Sequence, residues 1–258
     1  MSARVALVTG AGRGIGRAIA EAFARAGVHV ALAGRSTSLL EATAETARCC
    51  GVRALAVPLD VADLAAIPRA VARVTADLGP VDVLVNNAGI AESAPLARTG
   101  VDLWERHLRI NATAPFVLAR EVMPGMLERA WGRVISVASL AGLSGAAYVT
   151  AYVASKHALV GLTRALAVEV AGKGVTVNAL CPGYVATDMV WNSARNIASR
   201  TGRSYDDAVA LLARENPGGR LVQPEEVAAA AVKLLGDDGT NGEAIVIDGS
   251  APALARTA

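Results

Sequence analysis

Short runs of Val, Ile, Leu and Ala, each just long enough for a strand, alternate along this chain with stretches of helical periodicity. That alternation narrows the possible folds more than any other feature. The runs fall at 5–8, 29–33, 54–59, 81–86, 133–137, 175–180 and 244–248. The helical patterns fall at about 15–26, 37–49, 63–78, 101–129, 151–171 and 224–235. Strands and helices in this order build right-handed βαβ units. The expected fold class is α/β: one doubly wound parallel sheet of about seven strands with helices on both faces. The 258 residues suit a single domain, 1–258, and no repeat, linker or boundary divides it.

The first strand-to-helix turn is glycine-rich. Thr9-Gly10-Ala11-Gly12-Arg13-Gly14-Ile15-Gly16 follows Val5–Val8 and leads into an alanine-rich helical pattern. Such a turn aims backbone N–H groups and a helix N-terminus at one point, where a pyrophosphate can sit. The strict G-x-G-x-x-G spacing is absent, since the third glycine would fall on Ile15 or Arg17. Gly10, Asn86, Ser139 and Pro182 all come just after predicted strands. In an open parallel sheet they should meet at the carboxyl edge, where ligands bind.

Tyr152 and Lys156 are four residues apart in a helical pattern, and Ser139 lies thirteen residues before the tyrosine. The spacing places phenol and ammonium on one helix face, a turn apart. A free tyrosine, with a pKa of about 10, exchanges protons poorly at neutral pH. A fixed positive charge nearby is expected to lower that pKa. A serine hydroxyl aimed at the same point could steady a substrate oxygen, so the trio points to carbonyl or alcohol chemistry. Tyr148 is a rival phenol, but its i+4 neighbour is Tyr152 rather than a lysine. Ser136 and Ser144 lack the spacing, and His107 and His157 read as incidental.

In these motifs the chain resembles the short-chain dehydrogenase/reductase family, in its single-domain branch of Rossmann type. Thr9-Gly10-x-x-x-Gly14-Ile15-Gly16 is similar to the family's cofactor loop, and Asn86-Asn87-Ala88-Gly89 to the motif after its fourth strand. Asn111, Ser139, Tyr152 and Lys156 follow the order of its catalytic tetrad, and Pro182-Gly183 with Thr187 its nicotinamide segment. The resemblance implies that Asp60 meets the adenine, that Asn87 and Ala88 contact the adenosine ribose, and that Val61, Gly89 and Val185 also belong to the cofactor site. It further implies that Lys156 binds the nicotinamide ribose and that Asn111 holds a water relaying protons to Lys156. Members similar to this chain are 3-oxoacyl reductases and 3-hydroxyacyl dehydrogenases.

The residues themselves bear on the choice of cofactor. An NAD site offers a carboxylate to the ribose 2′-hydroxyl about 20 residues past the glycine turn. Here the second strand ends in Gly34-Arg35-Ser36, and between Arg17 and Leu40 the only acid is Glu21. A 2′-phosphate would meet Arg35, the Ser36 hydroxyl and Arg13 instead, which favours NADP(H) over NAD(H).

The formal net charge of +2 suggests neither a nucleic-acid nor a membrane partner. Cys49, Cys50 and Cys181 lack metal-ligand or C-x-x-C spacing and read as reduced thiols; no metal site is expected. The amino end does not read as a signal peptide, because a glycine turn interrupts its apolar run. From Val134 to Ser155 there is no charge for 22 positions, but its serines and glycines indicate a buried strand, a loop and a helix rather than a membrane span. A soluble, cytoplasmic protein is expected.

Substrate identity is less constrained. A segment at about 187–220 reads as a lid, with a helical pattern over Tyr205–Arg214, and is several residues longer than in typical 3-oxoacyl carrier-protein reductases, which the chain resembles. Leu140, Leu143, Tyr184 and Trp191 are candidate apolar pocket residues. Lys173, Arg195, Arg200 and Arg203 could meet the phosphates of a CoA- or carrier-protein-linked substrate, although scattered charges are usually solvated. An NADPH-dependent ketone reductase is the favoured reading. The alternatives are an NAD-dependent secondary-alcohol or 3-hydroxyacyl dehydrogenase, which the Gly34-Arg35 pair argues against, and a redox sensor without turnover, which the intact Ser139, Tyr152 and Lys156 argue against. Small residues Ala154, Ala158, Gly161 and Ala165 on one helix, together with the resemblance, lead to an expected homotetramer. The apolar tail 249–258 is a candidate for its interface.

Overall fold

A computed structural model describes residues 4–250. Most of the tail expected to join an interface, residues 251–258, lies outside the described residues. The sheet is parallel throughout, with seven strands in the order β3-β2-β1-β4-β5-β6-β7. The strands are β1 (Val5–Thr9), β2 (His29–Gly34), β3 (Ala54–Pro58), β4 (Val83–Asn86), β5 (Gly132–Val137), β6 (Val175–Pro182) and β7 (Ala244–Ile247). One apolar cluster joins helices α1 (Gly14–Arg25), α2 (Thr37–Arg48) and α9 (Pro224–Leu235) to one face. A second joins α3 (Ile67–Asp77), α5 (Ala114–Glu128) and part of α6 (Thr150–Val170) to the other. The strands are apolar throughout because both faces are covered. Among the described residues no helix is long and apolar enough to cross a membrane, and the uncharged stretch from Val134 divides into β5, a loop and the start of α6.

Strand order reverses between β1 and β4, opening a crevice at their carboxyl ends. The two strands are tied there by Thr9, which is buried. Its hydroxyl donates to Val85 O at 3.1 Å and accepts from the backbone N–H groups of Asn87 and Ala88, each at 3.0 Å. The Asn87 amide returns the tie, donating to Thr9 O at 2.8 Å. Glycine is required on both sides of this knot. A Cβ on Gly16 would lie 2.4 Å from both Gly10 O and Asn87 Nδ2, and Gly10 itself has a φ of +67°.

The helical pattern over 101–129 is not one helix. It divides into α4 (Val101–Leu108), a π-helical turn at Arg109–Thr113 and α5. Pro115 supplies the reason: lacking an N–H, it cannot donate to the Asn111 carbonyl four residues back. The chain instead closes a wider turn, with Ala114 N–H bonded to Arg109 O. The segment expected to form a lid also differs from expectation. Its second part is the expected helix, α8 (Tyr205–Arg214), but Asp188–Thr201 forms a further helix, α7. Gly202, at φ +71°, ends α7, and the Ser204 hydroxyl caps α8 by accepting from Asp207 N–H at 3.0 Å. Val190, Ala194, Ala208 and Leu212 give the pair a small core of its own.

Replacing Thr9 with valine keeps the shape of the side chain and removes all three bonds of its hydroxyl. With two backbone N–H groups left without an acceptor, Thr9→Val should lose about 2–4 kcal/mol in urea unfolding. The half-buried Thr99, whose hydroxyl bonds only Pro95 O, serves as the control: Thr99→Val should stay within about 0.5 kcal/mol of wild type.

Candidate active site

Asn111 sits in the π turn and is fully buried. Its side chain clamps the strand-like segment after β4, accepting from Ile90 N–H and donating to Ile90 O, both at 2.9 Å. The same amide donates to Ser155 Oγ at 2.9 Å, and Ser155 donates to Tyr152 O at 2.8 Å. The first turns of α6 are thus fixed to the β4 loop through two side chains. A turn before Asn111, the buried His107 holds the next part of that loop. Its Nε2 accepts from Glu92 N–H at 3.2 Å while Nδ1 meets Leu103 O at 2.8 Å. His107, which the sequence marks as incidental, therefore supports the same wall.

Lys156 lies on the floor of this arrangement, 5% exposed. Its Nζ donates to Val137 O at 2.8 Å, at the end of β5, and stands 5.8 Å from the centre of the Tyr152 ring. A Cβ on Gly89 would lie 3.1 Å from Asn111 Oδ1 and 3.6 Å from Lys156 Nζ, so the glycine after Asn87-Ala88 leaves room for both. Ser139 follows β5, and its hydroxyl accepts from Ala141 N–H at 3.1 Å while also hydrogen-bonding the Tyr152 phenol. Ser139, Tyr152, Lys156 and Asn111 therefore come together as the spacing suggested.

The electrostatics depart from expectation. Burial pushes the Tyr152 phenol above its ordinary value, and the Ser139 hydrogen bond only partly opposes it. Burial also lowers Lys156 to about 8. The ammonium does not make the tyrosine acidic here, because desolvation by burial is the largest influence on both groups. The resting pair is a protonated phenol beside a lysine that gives up its proton easily. Cys181, set aside in the sequence as an ordinary thiol, is close enough to interact with Tyr152 and Lys156; burial raises it to about 11, so it stays a thiol.

Of the four candidate pocket residues, Tyr184 is the one whose phenol interacts electrostatically with Tyr152. Burial raises Tyr184 itself, with Glu215 adding to the shift. The buried Asn216 fixes its backbone, accepting from Tyr184 N–H at 2.7 Å and donating to Tyr184 O at 2.9 Å. Leu140 lies over Gly183, where a Cβ would meet its Cδ1 at 3.3 Å. Leu143 packs on the small core that includes Cys181. Trp191 packs instead against the lid's own core and lines a groove of about 380 Å³ between α7 and α8, with Asp188 and Tyr205.

The glycine turn is shaped to receive an anion. Helix α1 begins at Gly14, φ +52°, with no side chain capping its first N–H groups. Thr187, at the start of α7, comes close over it: its Cγ2 would be 3.1 Å from a Cβ on Gly14. Ile15 packs on the core beneath the turn. At the end of β2, Arg35 is exposed and makes no ion pair or side-chain hydrogen bond among the described residues. Ser36 Oγ lies 3.2 Å from Ser38 Oγ, at the start of α2. Arg13 is not free: it pairs with Asp188 at 3.3 Å, both side chains largely in solvent, a contact of about 1 kcal/mol at most. Asp60 accepts from Ala62 N–H at 2.9 Å, and Val61 beside it is buried. Pro182 ends β6, Gly183 N–H bonds Ile247 O at 3.0 Å, and Val185 bridges to Val222. A pyrophosphate-linked dinucleotide fits this edge. The amides of α1 would hold the pyrophosphate, and Arg35 and Ser36 stand where an NAD-type carboxylate would otherwise be.

The short chain dehydrogenase family matches residues 4–198, and the chain belongs to that family. It shares 39% identity over 234 residues with the putative ketoacyl reductase of Streptomyces coelicolor, covering 90% of each protein. It shares 38% over 237 residues with the acetoacetyl-CoA reductase of Shinella zoogloeoides, covering 91% of this chain and 92% of that one. Among solved structures, a point variant of actinorhodin polyketide ketoreductase with NADPH superposes with a TM-score of 0.91, at 37% identity and 96% coverage of both chains.

If burial governs the pair, the Lys156 ammonium should titrate with a midpoint near 8 in an NMR titration of the ligand-free protein. A midpoint at the ordinary lysine value, near 10.4, would mean that water reaches the floor of the cleft.

Proposed function

We propose that this short chain dehydrogenase is an NADPH-dependent reductase that converts a ketone, above all a 3-oxoacyl thioester, to a secondary alcohol. The observation that carries the reading is the meeting of Ser139, Tyr152 and Lys156 at the carboxyl edge of the sheet, beside an uncapped helix N-terminus shaped for a dinucleotide. Bound NADPH supplies hydride to the carbonyl carbon. The chain's own groups manage the oxygen. The Ser139 hydroxyl steadies it, and the Tyr152 Oη delivers the proton as charge develops there. Burial keeps the tyrosine protonated at rest, the form that reduction needs. Lys156, adjacent and easily deprotonated, replaces that proton, and Asn111 holds the wall against which both work.

NADPH rather than NADH follows from Arg35 and Ser36, with Arg13 recruited from its weak pair with Asp188. The thioester is favoured by the named relatives. The dependence on reduced nicotinamide fits a cytoplasmic place of work. Assembly as a homotetramer fits the exposed small residues Ala158, Gly161 and Ala165 on α6, with Val168 79% exposed on the same helix and Phe116 45% exposed on α5. Light scattering should give a mass near four chains; a monomer would refute this assembly.

The reading is tested by initial rates with an acetoacetyl thioester and NADPH or NADH. NADPH should be preferred at least tenfold, and Arg35→Glu should reverse that order, because an exposed carboxylate repels the 2′-phosphate. Tyr152→Phe should lower kcat by about 10³-fold or more with little effect on NADPH binding. NADH-preferred turnover would point to the oxidative, NAD-dependent alternative.

A further inference from the structure

Two residues other than glycine occupy the left-handed region among the described residues: Ala130, at φ +51°, and Tyr148, at φ +65°. Ala130 has an ordinary reason. It closes the end of α5, where its N–H bonds Leu127 O and the next residue's bonds Met126 O. Tyr148 closes no helix. It precedes α6 in the exposed loop between Ser139 and Tyr152, and a left-handed conformation is unfavourable for a bulky aromatic. Glycine would serve there without strain. The side chain gains nothing visible in exchange: it is 66% exposed and makes no hydrogen bond, ion pair or ring contact among the described residues.

The strain is nonetheless held in place. Tyr148 O accepts from Ala94 N–H at 2.8 Å, and Ala94 belongs to the loop that Asn111 and His107 fasten at Ile90 and Glu92. Tyr148 thus joins the loops that leave β4 and β5, at the edge where the reacting groups lie. An outlier kept at a cost beside a reaction centre points to function. We propose that the Tyr148 ring forms the outer wall of the substrate site and selects ketones that carry an apolar acyl chain or ring beyond the reacting carbonyl. The proposal rests on the ketone-reductase reading and gives it a determinant of substrate size that none of the expected pocket residues supplies.

Strain and recognition can be separated with Tyr148→Ala, Tyr148→Gly and Tyr148→Phe in the full chain. Alanine removes the ring and keeps the strain; glycine removes both. The glycine variant should melt about 2–4 °C above the alanine variant, despite its greater freedom when unfolded. With NADPH and N-acetylcysteamine thioesters, both should raise KM for the 3-oxooctanoyl substrate roughly 5–10-fold. KM for the acetoacetyl substrate and for NADPH should stay within about twofold, and Tyr148→Phe should resemble wild type. Equal KM changes for long and short substrates, or none for either, would overturn the wall. Equal melting of the alanine and glycine variants would overturn the strain argument on which it stands. A wild type inert toward both thioesters while binding NADPH would overturn the reductase reading itself, an outcome distinct from an active enzyme with an unmoved KM.

Discussion

The structure depends on keeping one crevice open and rigid at the point where the strand order reverses. β1 and β4 are neighbours whose chains leave in opposite directions, so their ends would splay without a tie. The Thr9 hydroxyl provides it, bonding one carbonyl and two N–H groups beyond β4, and Asn87 answers from the other side. The tie works only because no side chain projects from Gly10 or Gly16 into the space that Asn87 fills. The glycines of this turn are set as much by that close approach as by the anion the turn can receive. A motif read as phosphate recognition is equally a packing requirement.

From that crevice the reacting groups are positioned by side chains gripping backbone. Pro115 forces the wide turn at 109–113, and the turn carries Asn111 inward. Asn111 then holds Ile90 on one loop and Ser155 on α6, so Tyr152 and Lys156 are referenced to β4 rather than only to their own helix. His107 and Asn216 do the same for Glu92 and Tyr184. Buried polar groups of this kind are stable only when every donor and acceptor is satisfied, and these are.

Much of this was legible in the sequence. Apolar runs and helical periodicity located the strands and most helices because burial on both sheet faces leaves a strong, local signal. Ser139, Tyr152 and Lys156 were legible because they are spaced by helix geometry and by a strand end, whereas Asn111 was reached through the family resemblance. Helix α7 was not: its buried face consists of Val190 and Ala194, and small residues leave a weak pattern. The π turn had a marker in Pro115, but propensity alone reads 101–129 as continuous. The knot at Thr9 and the grips of His107 and Asn216 join residues up to 79 positions apart. No local pattern records such pairings.

The sign of the electrostatics was the least legible of all. Spacing of four residues says that Tyr152 and Lys156 are near each other, and nearness alone predicts an acidic tyrosine. Whether that prediction holds depends on how much water reaches the pair, a property of the whole surrounding wall. Here Lys156 is almost wholly covered and Tyr152 partly: β5 offers Val137 O to the ammonium, Gly142 lets its loop lie against the Lys156 backbone, and the buried Cys181 interacts with both groups. Desolvation therefore raises the phenol and lowers the amine together. A site that rests with a protonated phenol beside a lysine lowered to about 8 holds in place the proton that a ketone oxygen would take. Making the same site favour proton abstraction would require admitting water or a new positive charge. Either change would have to be made in the walls around Tyr152 and Lys156, not in those residues themselves.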